Sequence, residues 1–166
     1  MQRQKAKSDE WYTPASAVKV IEPYVKDFKK IWCPFDTSKS EFVKVLSKNH
    51  EVVYSHISEG GDFFSTYKDC DAIVSNPPFS KKNEIYKRLF ELGKPFAMID
   101  NMAGLFDAKK RLKLFQEHEY EILVMYPRVK FINPDNLELN SPTYQSNYIC
   151  HNILPEKIIL KDMTEV

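Results

Sequence analysis

Apolar and polar positions follow two rhythms along this chain, one helical and one extended. In 15–28, Val18, Ile21, Tyr24, Val25 and Phe28 recur at helical spacing. Thr13 is the expected N-cap, Pro14 the first helical residue, and Pro23 a kink or break. Lys30-Ile31-Trp32-Cys33 reads as a strand stopped by Pro34. Asp36, Thr37 and Ser38 offer N-caps for a helix that turns Phe42, Val43, Val45 and Leu46 to one side and ends near His50. Residues 51–57 are apolar enough on both sides for an internal parallel strand. Gly60-Gly61 marks a turn, and Asp62-Phe63-Phe64 a short strand or loop. A strand at 71–75 precedes an amphipathic helix at 80–92, with Ser80 as its N-cap. Residues 95–98 begin another strand, and 107–118 form a basic amphipathic helix. A strand at 120–126 ends at Pro127, and 129–132 extends it. The polar stretch 133–147 is long enough to be functional or mobile, and the last strand runs over 148–153.

Strands alternating with helices, then terminal strands without helices, predict an α/β fold. The sheet is mainly parallel with an antiparallel edge strand, and helices cover both faces. The 166 residues fit one domain, with no separate target-recognition domain expected.

One strand ends in an unusual way. Asp71-Ala72-Ile73-Val74-Ser75 runs directly into Asn76-Pro77-Pro78-Phe79. Proline has no N–H and a fixed φ, so ladder pairing stops there, and each residue before a proline is held extended. The result is a stiff platform offering an amide, free carbonyls and a ring at the edge of the sheet where α/β proteins bind ligands.

Composition changes the picture little. Hydrophobic residues at 43% and charged residues at 28% fit a globular protein, and a net charge of +1 neither demands nor forbids a nucleic-acid partner. Three cysteines, far apart and odd in number, suggest a reducing compartment, and they lack the paired spacing of a zinc site. With no signal peptide and no apolar run of membrane-spanning length, a cytoplasmic location is expected. Ten prolines stand against four glycines, few for a backbone that must wrap a nucleotide.

Asn76-Pro77-Pro78-Phe79 resembles the Asn/Asp-Pro-Pro-Tyr/Phe motif of S-adenosylmethionine-dependent amino methyltransferases. Around it stand Trp11-Tyr12-Thr13-Pro14, Cys33-Pro34-Phe35, Asp62-Phe63-Phe64 and Arg128-Val129-Lys130-Phe131-Ile132-Asn133-Pro134. That order is similar to the compact adenine-specific DNA methyltransferases of phages and restriction–modification systems, the EcoRI-type group among them. The resemblance implies a class I, Rossmann-like methyltransferase fold with S-adenosylmethionine as cofactor. It implies that Asn76, Pro77, Pro78 and Phe79 hold and activate a flipped adenine. It places Trp11, Tyr12, Thr13, Pro14, Pro34, Phe35, Asp36, Asp62 and Phe63 around the cofactor. Two departures stand out. Cys33 replaces the acid that usually ends the first strand, and Thr37 and Lys39 stand where glycines are usual. After the second strand, Ser55, His56 and Ser58 occupy the place of a ribose-binding acid, with Glu59 just beyond.

Among the cations, Lys81, Lys82, Arg128 and Lys130 are the candidates for nucleic-acid contact. Two longer runs, Lys81, Lys82, Lys87 and Arg88, then Lys109, Lys110, Arg111 and Lys113, could track phosphates but equally describe solvated helix faces. The expected partner is DNA, with RNA or a protein amide as other substrates. A descendant of the fold that binds nucleic acid or a partner without catalysis is the competing class. Neither a metal nor a membrane is expected, and the residues leave the oligomeric state open.

Overall fold

The computed structural model describes residues 12–132 and 145–165. Strands β1 (Lys30–Cys33), β2 (Glu51–Tyr54), β3 (Ala72–Ser75), β4 (Phe96–Asn101), β5 (Glu121–Tyr126), β6 (Ser146–His151) and β7 (Ile158–Asp162) form one sheet in the order β2-β1-β3-β4-β6-β5-β7. Helices α1 (Ala15–Val25), α2 (Glu41–Leu46), α3 (Lys82–Leu92) and α4 (Lys109–Glu117) connect them. All neighbouring strands are parallel except where β6 pairs with β4 and with β5. The mainly parallel sheet is the Rossmann-like α/β arrangement expected of a class I methyltransferase fold. Its reversed strand, β6, lies inside the sheet, and the border beyond β5 is β7.

The strand pleat explains why helices cover both faces. Ile31, Cys33, Ala72, Val74, Ala97, Ile99, Leu123, Met125, Tyr148 and Cys150 point to one side, where the apolar stripes of α1 and α2 cover them. Trp32, Ile73, Phe96, Met98, Ile122 and Ile149 point to the other, under α3 and α4. Tyr148, wholly buried, satisfies its hydroxyl by donating to the carbonyl of Ala17 at 2.9 Å.

Several expected boundaries shift for identifiable reasons. Pro14 precedes α1 without a side-chain cap, so Thr13 is not the N-cap, and Pro23 falls in the last turn two residues before the helix stops. Ser40, not Asp36, Thr37 or Ser38, caps α2 by accepting the Phe42 N–H, and α2 ends at Leu46. Strand β2 ends at Tyr54 because Ile57–Glu59 turns into a 3-10 helix closed by Gly60 at φ 80°, and its place at the end of the strand order makes it a sheet edge. Lys81, at φ 62°, opens α3 with no side-chain cap, so Ser80 does not cap it. Ser146 and Asn147, expected in a loop, are the first residues of β6, while 133–144 lie outside the described residues. The sequence pattern does not predict strand β7, because its alternating exposed Ile158 and Leu160 give a border strand no continuous apolar signal.

Candidate active site

The sheet order reverses at β1: the chain proceeds outward to β2 and then returns to β3 on the other side of β1. A crevice opens outside the carboxyl ends of β1 and β3, the place where such sheets bind ligands. One wall is the strand ending described above. Strand β3 is buried throughout, so Ser75 is fixed at its end. Asn76 is half-buried, Pro77 buried, and Pro78 and Phe79 half-buried at the crevice margin.

The opposite wall follows β1. Pro34 stops the strand, and the Phe35 N–H donates to Ser75 Oγ at 3.2 Å, tying the two strand ends together. Asp36 is 7% exposed. Its Oδ1 accepts the Ser40 hydroxyl at 2.5 Å and its Oδ2 accepts the Ser75 hydroxyl. Burial pushes the carboxyl up to about 6, against the downward pull of Ser40, Ser75 and His56. Its two oxygens are thus committed to protein hydroxyls. Cys33, the last residue of β1, is fully buried; burial, then Asp36, raises its thiol well above the ordinary value.

A third segment, after β2, closes the far end. Gly61 packs so tightly that a Cβ there would lie 2.8 Å from Ser55 Cβ and 3.1 Å from the His56 nitrogen. Asp62 Oδ1 accepts the Phe64 N–H at 3.0 Å, a local turn rather than a strand. Phe63 is buried, its ring centroid 5.7 Å from Trp32 and 4.9 Å from Phe35. Arg88 of α3 holds this segment, donating to the Thr66 carbonyl at 3.1 Å with its guanidinium 5.4 Å from the Phe63 ring.

Together these segments enclose a cavity of about 770 Å³. Of the residues singled out by sequence, it is lined by Tyr12, Thr13, Pro34, Phe35, Asp36, Asp62, Phe63, Asn76, Pro77, Pro78, Phe79 and Lys81. Tyr12 arrives through a two-bond antiparallel bridge to Ile132, which lines the same cavity. Pro14 stands before α1 and is not part of the lining, and Trp11 lies outside the described residues. Arg128 and Lys130 are exposed on the segment leading to Ile132.

Lys82 behaves differently from Lys81. Its Nζ lies 2.6 Å from Asp100 Oδ1 and 6.0 Å from the Phe79 ring centroid. Asp100 also accepts the Tyr86 hydroxyl at 2.9 Å and the Asn101 N–H at 2.8 Å. Arg111 is equally engaged, donating to Asn83 Oδ1 and to the Gly104 and Leu105 carbonyls. Lys87 and Lys113 sit on exposed helix faces 3.8 Å from Glu91 and Glu117. The cation runs therefore divide into structural and solvated groups.

Sequence reasoning passed over Ser40, Phe64 and Ile132, all cavity-lining, and Asp100, which holds Lys82. Phe64 stands in the quoted run beside Phe63 and presents a more exposed ring to the cavity. Among the described residues no cluster of His, Cys, Asp and Glu could hold a metal ion, and no helix is long and apolar enough to cross a membrane.

No protein-family model matches the chain, and no curated protein matches it. Among solved structures it is similar to a Listeria monocytogenes protein assigned to the class I S-adenosylmethionine-dependent methyltransferases. That likeness has 11% identity and a TM-score of 0.49, covering 96% of this chain and 68% of the other. It is also similar to the precorrin-6y C5,15-methyltransferase of Geobacter metallireducens, at 9% identity and a TM-score of 0.47, covering 86% of this chain and 92% of the other. At such identities the likeness concerns the course of the chain, not its chemistry.

Proposed function

We propose that this protein transfers the methyl group of S-adenosylmethionine to an exocyclic amine, with N6 of adenine in DNA as the target. The observation that carries the reading is the single cavity in which the Asn76–Phe79 platform faces the Phe35, Asp62 and Phe63 segment across the β1/β3 reversal. Its volume lies in the range that takes a small-molecule ligand. The residues fit the cofactor in kind. Phe35 and Phe63 offer aromatic surface, Asp62 a carboxylate, and Thr37, Ser38 and Lys39 polar groups at the first strand's end. Tyr12, Thr13, Pro34, Phe35, Asp62 and Phe63 would hold it; when bound, it supplies an electrophilic methyl group on a sulfonium.

The chain's own task is then to orient and polarise the amine. Adenine N6 is a weak nucleophile because its lone pair is delocalised into the ring. The Asn76 side-chain oxygen and the Pro77 carbonyl would accept its two hydrogens, letting the nitrogen pyramidalise and freeing the pair. Phe79 would stack on the base. Because Pro77 and Pro78 fix the backbone, the acceptors are held before substrate arrives, and positioning of this kind supplies much of such a barrier reduction. A base in a duplex must be extruded to enter. Lys81 at the cavity, with Arg128 and Lys130 on the segment leading to Ile132, would meet the flanking phosphates.

The test is labelled-methyl transfer to DNA, RNA and protein side by side. Label in DNA, recovered as N6-methyladenine, supports the reading. Label only in RNA or protein moves the substrate, and no transfer to any refutes the activity. A second reading, a non-catalytic nucleic-acid or partner-binding protein, is favoured by one observation: both Asp36 oxygens are engaged by serines, in a loop without glycines. Calorimetry with S-adenosylmethionine separates the two, since this second reading predicts no binding at millimolar ligand.

A further inference from the structure

Asp36 has a setting that cofactor binding does not explain. Its N–H donates to the Ser55 carbonyl at 3.1 Å, joining the ends of β1 and β2. Its carboxylate receives Ser40 from the start of α2 and Ser75 from the end of β3. Each hydroxyl is oriented by a backbone N–H on its acceptor side: Phe42 donates to Ser40 at 3.1 Å and Phe35 donates to Ser75 at 3.2 Å. The one proton of each serine is thereby directed at Asp36. Two backbone donors and two hydroxyls form a circuit that converges on one carboxylate, and Asn76 is the residue next to Ser75.

The cap of α2 does not need this carboxylate, because Ser40 already accepts the Phe42 N–H. Burying an ion is unfavourable unless it is fully satisfied. A neutral residue would serve the fold at lower cost.

We propose that Asp36 is a positioning residue that fixes Asn76 through Ser75, linking the cofactor-side loop 34–39 to the amine-holding platform, and that it does so as the anion. The effect on rate rests on the methyl-transfer reading; the effect on Asn76 does not. A protonated Asp36 must donate from one oxygen, so one serine has to accept that bond and turn its own proton away, breaking the circuit. The titratable groups facing the carboxyl are Cys33 of β1, His56 after β2 and Tyr148 of β6. Burial, above all, holds the thiol and the phenol neutral, so of these three only His56 can bring an opposite charge. With burial lifting the carboxyl to about 6, the circuit opens on mild acidification.

The full chain, labelled with ¹⁵N and ¹³C, tests this by NMR titration from about pH 5 to 8. The Asn76 side-chain amide pair is expected to shift with a midpoint near that of the Asp36 carboxyl carbon. Asp36→Asn should abolish the Asn76 titration. Ser75→Ala should leave Asp36 titrating while Asn76 no longer follows, and it serves if Asp36→Asn does not fold. In methyl transfer, Asp36→Asn should lower kcat roughly 10- to 100-fold while KM for S-adenosylmethionine changes far less. An Asn76 signal that does not titrate, or that titrates unchanged in Asp36→Asn and so reports a group other than Asp36, overturns the proposal. If the parent transfers no methyl group yet Asn76 follows Asp36, the enzymatic reading fails and the coupling stands. If transfer occurs without the coupling, the reverse holds.

Discussion

Lys82 and Lys87 are five residues apart on α3 and look alike in sequence, yet removing them should have very different consequences. Lys82 Nζ lies 2.6 Å from Asp100 Oδ1, with side chains 14% and 1% exposed, whereas both Lys87 and its partner Glu91 are mostly exposed. Lys82→Met leaves the Asp100 carboxylate buried with only the Tyr86 hydroxyl and the Asn101 N–H. Breaking a buried pair from one side in this way costs about 3–5 kcal/mol. Asp100→Asn keeps an acceptor for the Asn101 N–H, turns the second oxygen into an amide donor that the Tyr86 hydroxyl can accept, and leaves an ammonium that can turn outward on its flexible stem, so the loss should be about 1–2 kcal/mol. Lys82→Met with Asp100→Asn removes both charges, and the double variant should be more stable than the sum of the singles implies by about 2 kcal/mol. Lys87→Met should change stability by no more than about 0.5 kcal/mol. Urea unfolding followed by circular dichroism measures all four. A Lys82→Met variant as stable as the parent, or additive singles, would refute the argument that the pair is structural. Lys82 would then return to the set of cations available for phosphate.

Two further variants probe the cavity walls. Gly61→Ala places a Cβ 2.8 Å from Ser55 Cβ and 3.1 Å from backbone, neither of which can swing aside. It should lower stability by about 1–3 kcal/mol in the same unfolding assay, and a neutral outcome would mean that the close approach of this segment is not required. Asp36 carries the opposite sign of effect. Its carboxyl is raised from 3.8 to about 6 on folding, so the folded state holds its proton more tightly. The stability this gives is complete below about pH 4 and is lost as pH rises through about 6. The shift corresponds to about 3 kcal/mol, an upper bound on what Asp36→Asn gains near neutral pH once weakened serine bonds are set against it. Thermal unfolding of parent and variant between about pH 4 and 8 should show the variant's advantage growing with pH, and a constant difference would contradict the assigned titration.

Parts of this were legible in the sequence because they depend on local rhythm or on chain stiffness. The stripes of α1 and α3 and the continuous burial of β1 and β3 follow from apolar spacing and short apolar runs. The platform at Asn76–Phe79 follows from two prolines after a short apolar strand. Other parts depend on which elements meet. Asp36 and Ser75 are 39 residues apart, and nothing in either neighbourhood says that one hydroxyl proton will be aimed at that carboxylate. Lys82 and Lys87 differ only in which faces Asp100 on β4, a register that no helical pattern contains. Strand β2 reads as internal because Val52 and Val53 are apolar, but only the sheet order makes it an edge.

The central claim is that Asn76 activates an amine beside a bound cofactor. Its most direct test pairs calorimetric S-adenosylmethionine binding with labelled-methyl transfer to DNA, for the parent and for Asn76→Ala. The account predicts that both bind the cofactor with similar affinity and that only the parent forms N6-methyladenine. Equal transfer by Asn76→Ala would contradict it.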